Sequence, residues 1–120
     1  MNKFPPKKGR VVSFEASGYK CLILEASNGR LNGYVRVPAS HPATQIYYEA
    51  IPVDVHGGIT FRYAKNRVVW YGFDTNHTDS DAYEDWEVGQ VRAETERLAR
   101  QLRDLAQQET CEVVYQESEA

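Results

Sequence analysis

Apolar and polar positions alternate along the first two thirds of the chain and recur every three or four residues along the last third. VVSFEA (11–16) alternates weakly and predicts a strand. Ser17-Gly18 breaks it before a stronger candidate, YKCLILEA (19–26). Asn28-Gly29 follows, a dipeptide suited to a two-residue hairpin turn because both turn positions need positive φ. With that turn Ala26 faces Leu31, Leu24 faces Gly33 and Leu22 faces Val35, so one face of the hairpin is apolar. The other face carries Cys21, Ile23 and Glu25 opposite Arg36, Tyr34 and Asn32. Pro38 stops the second strand after Val37.

PASHPATQIYYEAIP (38–52), bounded by prolines, reads as irregular. VDVH (53–56), Gly57-Gly58 and ITFRYA (59–64) come next, and Lys65-Asn66 can turn the chain into RVVWYGF (67–73). Phe61 then faces Trp70 and Tyr63 faces Val68. Ile59, Phe61, Tyr63, Val68 and Trp70 form the expected core face, and Thr60, Arg62, Val69 and Tyr71 the opposite one. From Glu84 to Gln108 the spacing of Val88, Val91, Thr95, Leu98, Leu102 and Leu105 predicts a helix, with Asp81 or Asp85 as its cap and Glu96–Arg100 as an i,i+4 pair. CEVVYQ (111–116) reads as a final strand and 117–120 as a disordered end. The economical architecture is α+β: a twisted antiparallel sheet of about five or six strands packed against one long C-terminal helix, forming a single domain over 11–116.

Two clusters of Asp and His flank the second hairpin, in DVHGGITF (54–61) and FDTNHTD (73–79). Extending the ladder past Ile59 places Gly57 opposite Asp74 and Asp54 opposite His77, with facing Cα atoms roughly 4.5–5.5 Å apart. That brings Asp54, His56, Asp74 and His77 to one patch. The rival geometry makes Gly57-Gly58 a tight turn with His56 facing Ile59, and still leaves the clusters close.

Such a patch admits three readings. Asp and His beside glycine commonly hydrogen-bond the local backbone in turns. Gly57 and Gly58 also let backbone N–H groups approach an anion, which with Asp54, His56, Asp74 and His77 makes a ligand-recognition site. Under the third reading Asp54, His56, Asp74 and His77 hold a divalent metal for hydrolysis, although no HExxH-type motif is present. The many aromatics, with Arg36 and Arg62 on strands, suit a phosphorylated ligand such as a nucleotide better than a sugar or a lipid.

Composition narrows the classes. A net charge of −3 argues against a strong grip on a nucleic-acid backbone. The N-terminal KFPPKKGR (3–10) is a local basic arm, expected to be flexible, with phosphate binding as the lesser reading. No apolar run approaches the roughly 20 residues of a membrane span, and no signal-peptide core follows Met1. Cys21 and Cys111 read as separate buried thiols rather than a disulfide. An exposed sheet edge would make a homodimer unsurprising.

GYVRVPASHP (33–42), DVHGGITF (54–61) and WYGFDTNHTDSD (70–81), followed by ERLARQL (96–102), resemble a family of small bacteriophage and prophage proteins that has no assigned activity. The resemblance spans 33–102, and its matching polar or glycine positions are His41, Asp54, His56, Gly57, Gly58, Asp74 and His77. It implies a phage origin and the cytoplasm of a bacterial host. By analogy it also implies an accessory role in counter-defence, through a bound signalling nucleotide or by docking on a host defence protein.

Overall fold

The computed structural model describes residues 4–6, 9–27, 29–75 and 86–119, with side chains as far as Gln108. Five strands, β1 (Arg10–Ala16), β2 (Tyr19–Glu25), β3 (Leu31–Pro38), β4 (Phe61–Lys65) and β5 (Val68–Asp74), precede one helix, α1 (Val88–Glu119). The strands form one antiparallel sheet in the order β1-β2-β3-β5-β4, and α1 packs across one face. This is the α+β architecture expected. Among the described residues no helix is long and apolar enough to cross a membrane.

Loop chemistry sets each register. The β2–β3 loop is closed by Ala26 N–H donating to the Arg30 carbonyl at 2.8 Å, with Gly29 at φ 84° donating to the Ala26 carbonyl at 2.9 Å. That is one residue longer than the expected two-residue turn, and it moves the pairing to Leu22↔Tyr34 and Cys21↔Val35. A one-residue slip exchanges faces. Cys21, Ile23, Val35 and Val37 therefore lie in the core beneath α1, and Leu22 and Leu24 lie on the opposite face.

The β4–β5 turn is Asn66-Arg67, both at positive φ (55° and 67°), and it pairs Lys65↔Val68 and Tyr63↔Trp70 instead of Phe61 with Trp70. A two-residue shift preserves faces, yet the helix takes the face not expected: Val69, Tyr71 and Phe73 are under α1. Trp70, Tyr63 and Phe61 sit on the open face in a second apolar cluster with Leu22, Leu24, Tyr34 and Phe4. β5 is apolar on both sides, so its pattern alone did not choose.

From α1, Val91, Thr95, Leu98, Ala99 and Leu102 are buried against the sheet, each large aliphatic side chain contributing about 1.5–3 kcal/mol. The helix comes close because β3 offers Gly33, where a Cβ would strike Thr95 Oγ1 and the Phe73 ring. Thr95 turns its hydroxyl back to the Val91 carbonyl at 2.7 Å, so no polar group is stranded there. On the exposed face Glu96 pairs with Arg92 (3.2 Å), one turn before it, instead of with Arg100, the expected partner one turn after it.

CEVVYQ is not a sixth strand. α1 runs through it to Glu119, with no Gly or Pro after Gly89 to end it. Extending an existing helix adds a hydrogen bond for each residue fixed, which overrides the strand preference of a short β-branched run.

Candidate ligand-binding site

The Asp/His segment does not form the ladder expected. VDVH is not a strand. The chain there is pinned by buried Val55 and Ile59, and between them Gly58 N–H donates to the Val55 carbonyl at 2.8 Å. This reverses the chain at His56-Gly57, with Gly57 and Gly58 at φ 72° and 77°, a conformation open to glycine at little cost.

α1 holds this loop from the side. Gln101 brackets the Asp54 backbone, accepting its N–H at Oε1 (2.7 Å) and donating from Nε2 to its carbonyl (2.9 Å). Arg97 donates to the same carbonyl (2.6 Å) and to Asp54 Oδ2 (3.0 Å), and Glu94 Oε2 accepts the His56 N–H (2.7 Å). The His56 ring lies 4.6 Å from the Trp86 ring, centroid to centroid. Asp74 ends β5 instead, opposite Asn32, and accepts from Thr60 Oγ1 at 3.2 Å. His77 lies outside the described residues. Among the described residues no group of three or more His, Cys, Asp or Glu can hold a metal. Asp54 and His56 thus serve as the points at which a loop is stapled to a helix.

His41 has a similarly complete structural role. Its Nδ1 accepts from Ala43 N–H (2.9 Å), so Nε2 carries the proton and donates to the Leu102 carbonyl of α1 at 2.6 Å. Burial pushes its pKa down, the bond to Leu102 opposing that only in part.

The open face of the sheet gathers a different set. Lys20 on β2 faces Arg36 on β3, Arg36 faces Trp70 on β5, and Trp70 faces Tyr63 on β4, so one line across four strands reads cation, cation, indole, phenol. The Arg36 guanidinium lies over the Trp70 ring, 6.0 Å from its centroid. A register shift between Arg10 and Val12 pairs Arg10 with Leu24, turning Arg10 to this open face although Val12 and Phe14 pack toward the helix.

Phe4 folds onto the same face, its ring 4.8–5.8 Å from those of Tyr34, Phe61, Tyr63 and Trp70. Arg10 Nε donates to the Pro6 carbonyl at 2.8 Å and ties that segment to β1. Gly72 completes the cup: a Cβ there would strike the Tyr34 ring.

Beside this cluster lies a partly open cavity of about 340 Å³, walled by Phe4, Tyr63 and Trp70 and carrying Arg10, Lys20, Arg36 and Lys65. None of its lining residues is Asp or Glu. Glu15 stands across from Lys20 on β1 but does not line the cavity. Four cations around an aromatic wall make a receptor for an anion that carries an apolar or planar group. Arg62 is on the other face of the sheet, in a more open groove with Tyr47 and Tyr48.

Sequence reasoning reached Arg36 as a phosphate contact, and Arg10 only as the end of a basic arm with phosphate binding as its lesser reading, but not Lys20 or Lys65. The missed signal was positional: Lys20 and Arg36 share a face only in the register that the β2–β3 loop imposes, and Lys65 joins them only through the non-local β3–β5 pairing. No family model, curated protein or solved structure matches the chain.

Proposed function

We propose that this chain is a non-enzymatic binding protein for a small phosphorylated ligand, a nucleotide being the form that best matches the cavity. One observation carries the reading: Lys20, Arg36, Arg10 and Lys65 converge on an aromatic-walled cavity lined by no carboxylate. Arginine forks match phosphate oxygens bidentately, and lysines add charge without demanding one geometry. Phe4, Tyr63 and Trp70 give the uncharged part of a nucleotide an apolar contact. The site differs from the Asp/His patch expected from sequence, whereas the ligand class is the same.

The resemblance to small phage and prophage proteins adds a biological setting to the proposal: sequestration of a signalling nucleotide of the bacterial host, in counter-defence. Native mass spectrometry of protein purified from bacterial cells tests the reading. The expected result is excess mass matching a phosphorylated molecule, lost in the Arg36→Ala, Lys20→Ala double variant. Bare-chain mass, together with no binding of added nucleotides, would contradict it.

A further inference from the structure

We infer that the ligand of the open-face cavity carries a chain of two or more phosphates rather than a single one; this rests on the binding reading above and narrows it. Lys20 and Arg36 face each other directly on inner strands, where like charges destabilise an antiparallel pair, and Glu15 across from Lys20 on β1 offsets only one of the two. Lys65 reaches the same cavity from β4, at the far end of the line.

Between Lys20 on β2 and Lys65 on β4 there are three strand spacings, roughly 14 Å of backbone separation. A lone phosphate held between Lys20 and Arg36 leaves Lys65 to solvent. A phosphate chain starting at the Lys20–Arg36 pair extends along the cavity toward Lys65, so that each cation meets an oxygen of one ligand. Arg10, fixed by its Nε bond to Pro6, approaches from β1 with its remaining guanidinium donors.

The charge balance agrees. Four cations with no lining carboxylate match a di- or triphosphate in charge far better than a monophosphate. A nucleoside monophosphate would leave about half of that positive charge without a ligand partner.

The experiment is isothermal titration calorimetry of the full chain with AMP, ADP and ATP, and with inorganic triphosphate as a probe lacking the ring. Affinity is expected to rise about tenfold or more with each added phosphate, the scale of one further charge-assisted hydrogen bond. In Lys65→Ala, an exposed position whose loss leaves the core intact, ATP affinity should fall at least tenfold more than AMP affinity, so that the ATP-over-AMP preference shrinks by that factor. Inorganic triphosphate should bind, more weakly than ATP.

Equal affinity for AMP, ADP and ATP would overturn the phosphate-chain inference and leave the binding reading standing. An unchanged ATP-over-AMP preference in Lys65→Ala would also overturn it. Failure of every probe to bind would overturn both.

Discussion

Lys20 and Arg36 occupy directly facing positions on β2 and β3, two cations side by side on an open sheet face, with Glu15 beyond Lys20 and Trp70 beyond Arg36. The contact between these two cations is repulsive, and Glu15 offsets only part of it. A double-mutant cycle on unfolding stability, using Lys20→Gln and Arg36→Gln, is expected to return a repulsive coupling of about 0.2–1 kcal/mol in ligand-free protein. High salt should shrink it, and saturating ATP should reverse its sign. A favourable coupling in the ligand-free chain at low salt would show that the two charges do not sense each other as described.

The Asp54–Gly58 loop should behave as structure. Gln101→Ala removes both bonds to the Asp54 backbone and is expected to cost about 1–2 kcal/mol in denaturant unfolding. Nucleotide affinity at the open face should stay within a factor of two or so, since Gln101 lies on the helix side of the sheet. If binding collapsed while stability held, the loop rather than the open face would be the site.

Two glycines should respond in opposite directions. Gly33→Ala forces a methyl against Thr95 and Phe73 in a closed core and is expected to destabilise by about 1–3 kcal/mol. Gly89→Ala adds a methyl in open space near the start of α1 and should stabilise by a few tenths to about 1 kcal/mol. Chemical denaturation of the two variants compares them directly.

His41 couples stability to pH. Its imidazole titrates near 6.5 when unfolded and lower when folded, because burial disfavours the charged ring. Between those two values the unfolded chain holds the proton and the native chain does not, so stability rises with pH there. Stability should be level above about pH 6.5 and fall as pH drops through the folded value. In His41→Leu that contribution to the slope should vanish, which denaturation across a pH series can read.

The Cys21 thiol, pushed up to about 12 chiefly by burial, should be unreactive in the native protein. In a Cys111→Ser background, a thiol reagent is expected to label it only at the rate of unfolding. Rapid native labelling would mean that β2 is more open than its fully buried thiol indicates.

How far the sequence carried the account depends on which signals were local. Each hairpin announced itself through a turn, and α1 through the spacing of Val91, Leu98 and Leu102, so the architecture was legible. The assignment of faces was not. One extra loop residue before Arg30 exchanged the two sides of β2–β3, and RVVWYGF is apolar on both sides, so no alternation revealed which would meet the helix.

The expected Asp/His ladder failed for a related reason. DVHGG looked like two ladder positions and a turn, but the Asp54 backbone and carboxylate and the His56 N–H are held by α1, and partners such as Gln101 and Arg97, more than forty positions away, leave no mark in local pattern. The cavity residues come from β1, β2, β3, β4, β5 and the arm before them, and no spacing rule joins them.

The most direct test is a two-dimensional NMR titration of the native chain with ATP. Shifts are expected to cluster at Lys20, Arg36, Lys65 and the Trp70 indole, with the Asp54–Gly58 amides and the Leu98–Leu102 turn of α1 unmoved. Shifts centred on Asp54, His56 and Gly58, with the open face silent, would contradict the account.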